Sequence, residues 1–266
     1  MTFPGIRDRS RAMEIVALAS GSKGNSLFVK SGNTSVLLDV GLSAREIERR
    51  MALIGASPSE LSGIVVSHEH ADHIKGVGPL ARRYNLPVYI TERTFQAAEA
   101  VVGALPRVEC IDPEMPFEIG AFWFSPFLIS HDAVEPLGFS LTDGRRKIGI
   151  ATDLGVITHL VRENMRGAHV AIVESNHDPD MLMEGPYPWE LKQRIKGRRG
   201  HLSNPTATQF VQAIYHSDLE RVVLAHLSEI NNTPEAAKRC LIEKAGCRLE
   251  PEQIVVARPD RPVRIW

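Results

Sequence analysis

Cysteine is nearly absent from this chain. Cys110, Cys240 and Cys247 are the only three in 266 positions, and no two form a C-x-x-C pair. An odd count without paired spacing argues against a disulfide framework and suits a reducing compartment, the cytoplasm. Long hydrophobic runs are missing as well, so nothing reads as a membrane span. Residues 1–12 lack the apolar core of a secretory signal and carry Arg7, Arg9 and Arg11; they read as a flexible leader ahead of residues 13–266. Excess charge of either sign is lacking too. Lys and Arg total 31 against 32 Asp and Glu, which excludes a global cationic field but leaves room for a local basic groove. With no linker, low-complexity tract or tandem repeat, residues 13–266 read as a single domain long enough to bury a core.

What the chain does have is a concentrated histidine motif. Ser67-His68-Glu69-His70-Ala71-Asp72-His73 follows the apolar run Ile64-Val65-Val66, with the spacing H-x-H-x-D-H. Imidazole and carboxylate together suit zinc, manganese or iron. At a strand end, positions two apart face one side, so His68 and His70 can bind one ion. A helix starting near Asp72 would aim Asp72 and His73 at a second ion. A buried structural zinc site usually closes with cysteines, and none is near.

The patterning predicts strands over 14–19, 26–30 and 35–39, joined by turns rich in Gly, Ser and Asn. A helix over 43–54 follows, with Ser43 as cap and Glu46 completing a capping box. Strand 63–67 leads into the histidine motif, and a helix runs over 74–84. Strand 88–90, helix 92–102, strand 107–111 and a strand-rich stretch over 117–142 come next. The rest alternates: strand 147–151, helix 157–165, strand 169–174, helices 186–195 and 205–216, strand 221–225, helix 234–244 and strand 253–257. Each half would supply one sheet with helices outside it. Two such halves packed sheet to sheet make an α/β fold, a four-layer αββα sandwich.

Three further positions repeat the pattern of apolar strand, ligand, loop. His131 follows Phe127-Leu128-Ile129-Ser130, Asp153 follows Ile148-Gly149-Ile150-Ala151-Thr152, and His226 follows Val222-Val223-Leu224-Ala225. The order H-x-H-x-D-H, His, Asp, His resembles the metallo-β-lactamase superfamily over nearly the whole chain. Longer strings are similar to the YycJ/WalJ family: Gly21-Ser22-Lys23-Gly24-Asn25-Ser26, Ser130-His131-Asp132-Ala133, Glu174-Ser175-Asn176-His177-Asp178, Gly200-His201-Leu202-Ser203-Asn204 and Ala225-His226-Leu227-Ser228. Tyr187-Pro188-Trp189 and Asn231-Asn232 belong to the same set. The resemblance implies two divalent metal ions, zinc or manganese. His68, His70 and His131 would hold the first, Asp72, His73 and His226 the second, and Asp153 would bridge them. Asp39 resembles a superfamily aspartate that braces the histidine loop, although a plain turn residue before Gly41 would look the same. Such an ion pair lowers the pKa of a shared water and supplies a bridging hydroxide at neutral pH.

Phosphate chemistry shows in the last third. Asn204 before Pro205 reads as an N-cap with proline in the first helical position, and a helix start is an anion site. His201 and Ser203 lie on the loop feeding it, and Lys192, Arg194, Lys196, Arg198 and Arg199 lie just upstream. A solvated helix face would carry the same charges, but beside a metal motif they suit a phosphate backbone. Gly200-His201 also resembles ribonuclease Z, in which such a histidine protonates the leaving group and a glutamate at the end of the preceding strand, here Glu174, orients it. Leu202 departs from that pattern. Tyr187 and Trp189 could stack a base, though a Pro-Tyr-Pro-Trp stretch more often anchors a loop on the core.

The expectation is a metal-dependent hydrolase: a two-metal nuclease, and by resemblance a 5′-to-3′ DNA exonuclease. Asp72, His201 and Glu174 would be its catalytic residues, and Lys196, Arg198, Arg199, Ser203 and Asn204 would grip the substrate. DNA rather than RNA is the expected partner, no membrane is involved, and protein partners are unspecified. The alternative is a small-molecule hydrolase (a thioesterase, lactonase or cyclic-nucleotide diesterase) built on the same centre. A non-catalytic binding module stands third, because every ligand of the centre is present.

Overall fold

The structure, a computed structural model, describes residues 13–244 and 249–266; the leader expected over residues 1–12 and Cys247 lie outside the described residues. One seven-stranded sheet contains β1 (Glu14–Ala19), β2 (Ser26–Ser31), β3 (Thr34–Leu38), β4 (Gly63–Val65), β5 (Pro87–Ile90) and β6 (Arg107–Cys110). The other contains β7 (Phe117–Ile119), β8 (Phe122–Leu128), β9 (Leu137–Thr142), β10 (Lys147–Ala151), β11 (Val170–Glu174), β12 (Arg221–Ala225) and β13 (Ile254–Val256). The halves are not wholly separate. A two-residue strand, β14 (Val263–Arg264), crosses back from the C-terminal half and pairs antiparallel with β1.

Strand periodicity explains the layering. In β1, Ile15 and Ala17 point into a core shared with Phe124, Phe139, Ile150, Ile172 and Val223 of the other sheet. Val16 and Leu18 point the opposite way, into a core with Ile47, Met51, Leu80 and Ala98. These come from α1 (Ala44–Leu53), α3 (Val77–Tyr84) and α4 (Glu92–Val102), which cover the first sheet. On the far side, α5 (His159–Met165), α8 (Asn204–Ile214) and α9 (Pro234–Lys244) cover the second through Met165, Phe210 and Leu241. Strands buried on both faces must be apolar at nearly every position, as β4, β11 and β12 are. The result is the expected αββα sandwich. No helix among the described residues is long and apolar enough to cross a membrane.

Local departures have local causes. The helix expected over 74–84 is interrupted at Gly76, leaving α2 (Ala71–Ile74) ahead of α3. The Gly76 N–H donates to Val40 O at 2.8 Å, and a Cβ there would meet Leu42 O at 2.2 Å. This close approach ties the histidine loop to the end of β3. A further short helix, α6 (Pro179–Glu184), capped by Asp178, precedes α7 (Trp189–Ile195) where a single helix over 186–195 is expected. The cap of α8 is Ser203, whose Oγ accepts from Thr206 N–H, not Asn204. Pro205 tolerates either of the first two helical positions, so the serine one residue upstream takes the cap.

Candidate metal centre

Five of the seven candidate ligands follow the C-terminal end of a strand, and Asp72 and His73 lie in α2. His68 and His70 follow β4, His131 follows β8, Asp153 follows β10 and His226 follows β12. Among the described residues only four non-glycines have positive φ, and three are here: Asp39 at 59°, Asp153 at 59° and His226 at 53°. A left-handed residue costs about 1–2 kcal/mol, so each must be held. Asp39 N–H donates to Val65 O and His226 N–H to Ser20 Oγ, both at 2.8 Å. The kinks turn the side chains off the strand axes and toward one point.

The ligand atoms of His68, His70 and His131 lie within 4.8 Å of one another, as do those of Asp72, His73 and His226. Asp153 joins them: Oδ2 is 3.4 Å from His73 Nε2 and Oδ1 is 3.3 Å from His226 Nε2. His68 Nε2, His226 Nε2 and Asp153 Oδ2 are buried with no hydrogen-bond partner. Buried acceptors without partners are costly, and a cluster of them converging on one cleft fits divalent cations.

The surrounding hydrogen bonds fix which nitrogen faces inward. Ser67 O–H and N–H donate to the two carboxylate oxygens of Asp39, each at 2.8 Å. Ser67 Oγ can then accept from His68 Nδ1 at 2.9 Å, while His73 Nδ1 lies 2.8 Å from Asp39 Oδ2. Both imidazoles thereby spend Nδ1–H outward and turn Nε2 toward the centre; His68 Nε2 has no partner there, and His73 Nε2 lies 3.0 Å from Asn25 Nδ2. Asp39 thus acts on two histidines, one directly and one through a hydroxyl. Asp39→Asn is expected to weaken metal affinity by about 10–100-fold, read by chelator competition, with the fold retained.

Burial opposes charge on His73, yet Asp153, Asp39 and Asp72 around it lift its pKa to about 9. His226 is likewise driven well upward against its burial, by Asp153, Asp72 and Glu174. Burial and the neighbouring histidines push His68 well down. The carboxylates therefore draw in positive charge, and cations bound there would replace protons on His73 and His226.

Glu174, fully buried at the end of β11, accepts at four points. Oε1 lies 2.7 Å from His201 Nδ1 and 3.1 Å from His226 Nδ1; Oε2 accepts Leu202 N–H at 2.9 Å and Leu154 N–H at 3.3 Å. The expected Glu174–His201 contact is present, and the same carboxylate also orients His226. Burial opposes the cation on His201, but Glu174 raises its pKa above the ordinary histidine value. His201 and Asp72 both line the cleft, a cavity of about 250 Å³.

The substrate-binding residues expected from sequence divide differently. Asn204 is buried, accepting from Ser175 Oγ at 2.7 Å and pairing with the Asn232 amide at 2.9 Å, so it stitches loops together and does not face the cleft. Ser203 is spent on the helix cap. Lys196 and Arg198 are exposed, and Arg199 Nε donates to His131 O at 3.0 Å; none lines the cleft. Arg194 does, with Nε 2.7 Å and Nη2 2.5 Å from Asp132 Oδ2. Tyr187 also lines the cleft, and Trp189 is 58% exposed; neither anchors on the core. Sequence reasoning assigned no role to Ser67, Asp132 or Asn25. Asn25 Nδ2 lies 3.2 Å from Asp72 Oδ2, and its backbone N–H donates to Asp72 O at 2.8 Å. The Gly-Ser-Asn string around it was the available signal.

Two disjoint three-ligand groups, a shared aspartate and an open cleft on an αββα frame define a metal-dependent hydrolase. A family profile described as a beta-lactamase superfamily domain matches residues 34–227. The exodeoxyribonuclease YycJ of Bacillus anthracis is 38% identical over 258 residues, covering 93% of this chain and 96% of that protein. The exodeoxyribonuclease WalJ of Streptococcus pneumoniae is 34% identical over 233 residues, covering 85% and 86%. The crystal structure of the metallo-beta-lactamase fold protein YhfI from Bacillus subtilis superposes with a TM-score of 0.71 at 17% identity, covering 95% of this chain and 98% of that one. The chain belongs to the metallo-β-lactamase superfamily and, within it, to the YycJ/WalJ family.

Proposed function

We propose that this protein is a two-metal phosphodiesterase that degrades DNA from the 5′ end in the cytoplasm. The observation that carries the reading is His201, held by Glu174 at 2.7 Å on the same cleft as the candidate ligands. Hydrolysis of a phosphodiester expels an alkoxide, which benefits from a general acid, whereas a thioester has a good leaving group and does not. The names of the YycJ and WalJ relatives support the same substrate class.

His68, His70 and His131 would hold one divalent ion, Asp72, His73 and His226 the other, with Asp153 between them. Zinc and manganese both suit this nitrogen and oxygen donor set. When bound, such ions lower the pKa of water toward neutrality and offset charge on a phosphoryl oxygen. Asp72, partly open to the cleft, would hold the second ion on the side where the substrate phosphate enters. The Glu174 carboxylate keeps His201 protonated and aims Nε2 into the cleft, where it delivers its proton to the departing oxygen. Arg194, Lys196, Arg198 and Arg199 would attract the DNA backbone from the rim.

Salt dependence tests the substrate class. A nuclease loses kcat/KM on an oligonucleotide steeply between low and moderate salt, by about an order of magnitude or more if a few phosphates are contacted. Robust cleavage of a neutral thioester or lactone, with DNA and RNA left intact, would favour the small-molecule hydrolase.

A further inference from the structure

Helix α7 is anomalous: none of its residues is buried, yet one of its faces is apolar. Leu191, Arg194 and Ile195, spaced i, i+3, i+4, share that face and line the metal cleft, with Tyr187 just ahead of the helix lining it as well. Tyr187, Leu191 and Ile195 belong to none of the three hydrophobic clusters that build the fold. Core packing therefore does not account for them. The same cleft is lined by the polar residues Ser22, Asn176 and Ser228 and by the candidate ligands His70, Asp72, His131, Asp153 and His226. A cleft lined both by candidate cation ligands and by apolar side chains of one helix face fits a molecule that carries an anionic group and a flat apolar group. At about 250 Å³ it is smaller than most ligand pockets, which span roughly 300–1,000 Å³.

We infer that Tyr187, with Leu191 and Ile195 beside it, forms a base-binding wall that receives the terminal nucleobase of an unpaired strand while its phosphate lies over the metal centre. This rests on the nuclease reading and narrows it: the group that enters is one splayed nucleotide, so a duplex must fray before it is cut. Tyr187 acts as a substrate-binding residue by stacking, which every base accepts and which therefore imposes little sequence preference. Arg194 shares the same helix face but is tied to Asp132, so the apolar residues bear the discrimination.

The test uses metal-loaded full-length protein and two single strands, identical except that one carries an abasic residue at the attacked end. Wild type is expected to lose about tenfold in kcat/KM on the abasic strand, within the range of roughly 5- to 150-fold for one base stacked on an aromatic ring. Tyr187→Ala should lose a similar factor on the intact strand, chiefly in KM, and nothing further on the abasic one. Tyr187→Phe, which keeps the ring, should match wild type, and metal content and melting temperature should stay unchanged in both variants. Equal wild-type rates on the two strands overturn the base wall while leaving the nuclease reading intact, even if Tyr187→Ala misfolds. An equal loss by a folded Tyr187→Ala on both strands overturns it too. A wild type inert on both strands overturns the nuclease reading and the wall together.

Discussion

Replacing Asp72 with alanine is expected to lower kcat by about 10³-fold, the upper end of what losing one preorganised charge-stabilising group costs. Asp72 Oδ2 lies 3.6 Å from His73 Nε2 and 3.6 Å from His226 Nε2, and it is the carboxylate of this group that opens to the cleft. Its pKa is driven down against the effect of burial by the neighbouring His226 and His73, so it is an anion at any working pH. Alanine leaves the second group with two imidazoles and an Asp153 that the first ion would share, so the ion loses its only unshared carboxylate and is held less firmly. The expected signature is a fall in bound metal from two equivalents toward one, measured on purified protein, together with the rate loss. The fold should survive, because Asp72 lies on the rim and its removal leaves the inter-sheet core untouched. A variant with full metal content and near-normal kcat would show that Asp72 is no ligand.

His201→Ala should show a different pattern, one that depends on the leaving group. On an oligonucleotide the departing alkoxide needs a proton, and loss of the acid is expected to cost about 10²–10⁴-fold in kcat. On a phosphodiester with a nitrophenolate leaving group the oxygen departs without one, and the variant should stay within a few-fold of wild type. The pH profile gives a second readout. Glu174 raises the His201 pKa, so the acid form is present below that raised value and is lost as pH rises through it. Wild-type kcat on oligonucleotides should therefore fall on the alkaline side, and the His201→Ala profile should lack that limb. Equal losses on both substrates would assign His201 a positioning role instead.

Much of the candidate site was legible because the residues that could hold metal carry local signals. His68, His70, Asp72 and His73 come from one turn, and His131, Asp153 and His226 each mark the end of an apolar strand. The shell around them is assembled across the fold, and spacing cannot show it. Asp39 serves both His73, directly, and His68, through Ser67, only because β3 brings it beside Ser67, 28 positions away in the chain. Glu174 reaches His226 across 52 positions through the parallel pairing of β11 with β12. The two-residue β14 and six-residue α6 are too short to leave a periodic signal. In α7 the basic residues stood out, whereas the apolar i, i+4 pair Leu191 and Ile195 resembled an ordinary core face. The Asn204 misassignment has a similar origin, since Ser203 and Asn204 both qualify as caps in sequence and only the cap hydrogen bond to Ser203 Oγ separates them.

The most direct test of the central claim follows the products of an internally labelled duplex carrying a short 5′ overhang, incubated with protein reconstituted with manganese or zinc. Stepwise release of mononucleotides from the 5′ end, abolished by chelator and restored by metal, is the predicted result. Intact DNA and RNA in the presence of two bound metal equivalents would contradict it.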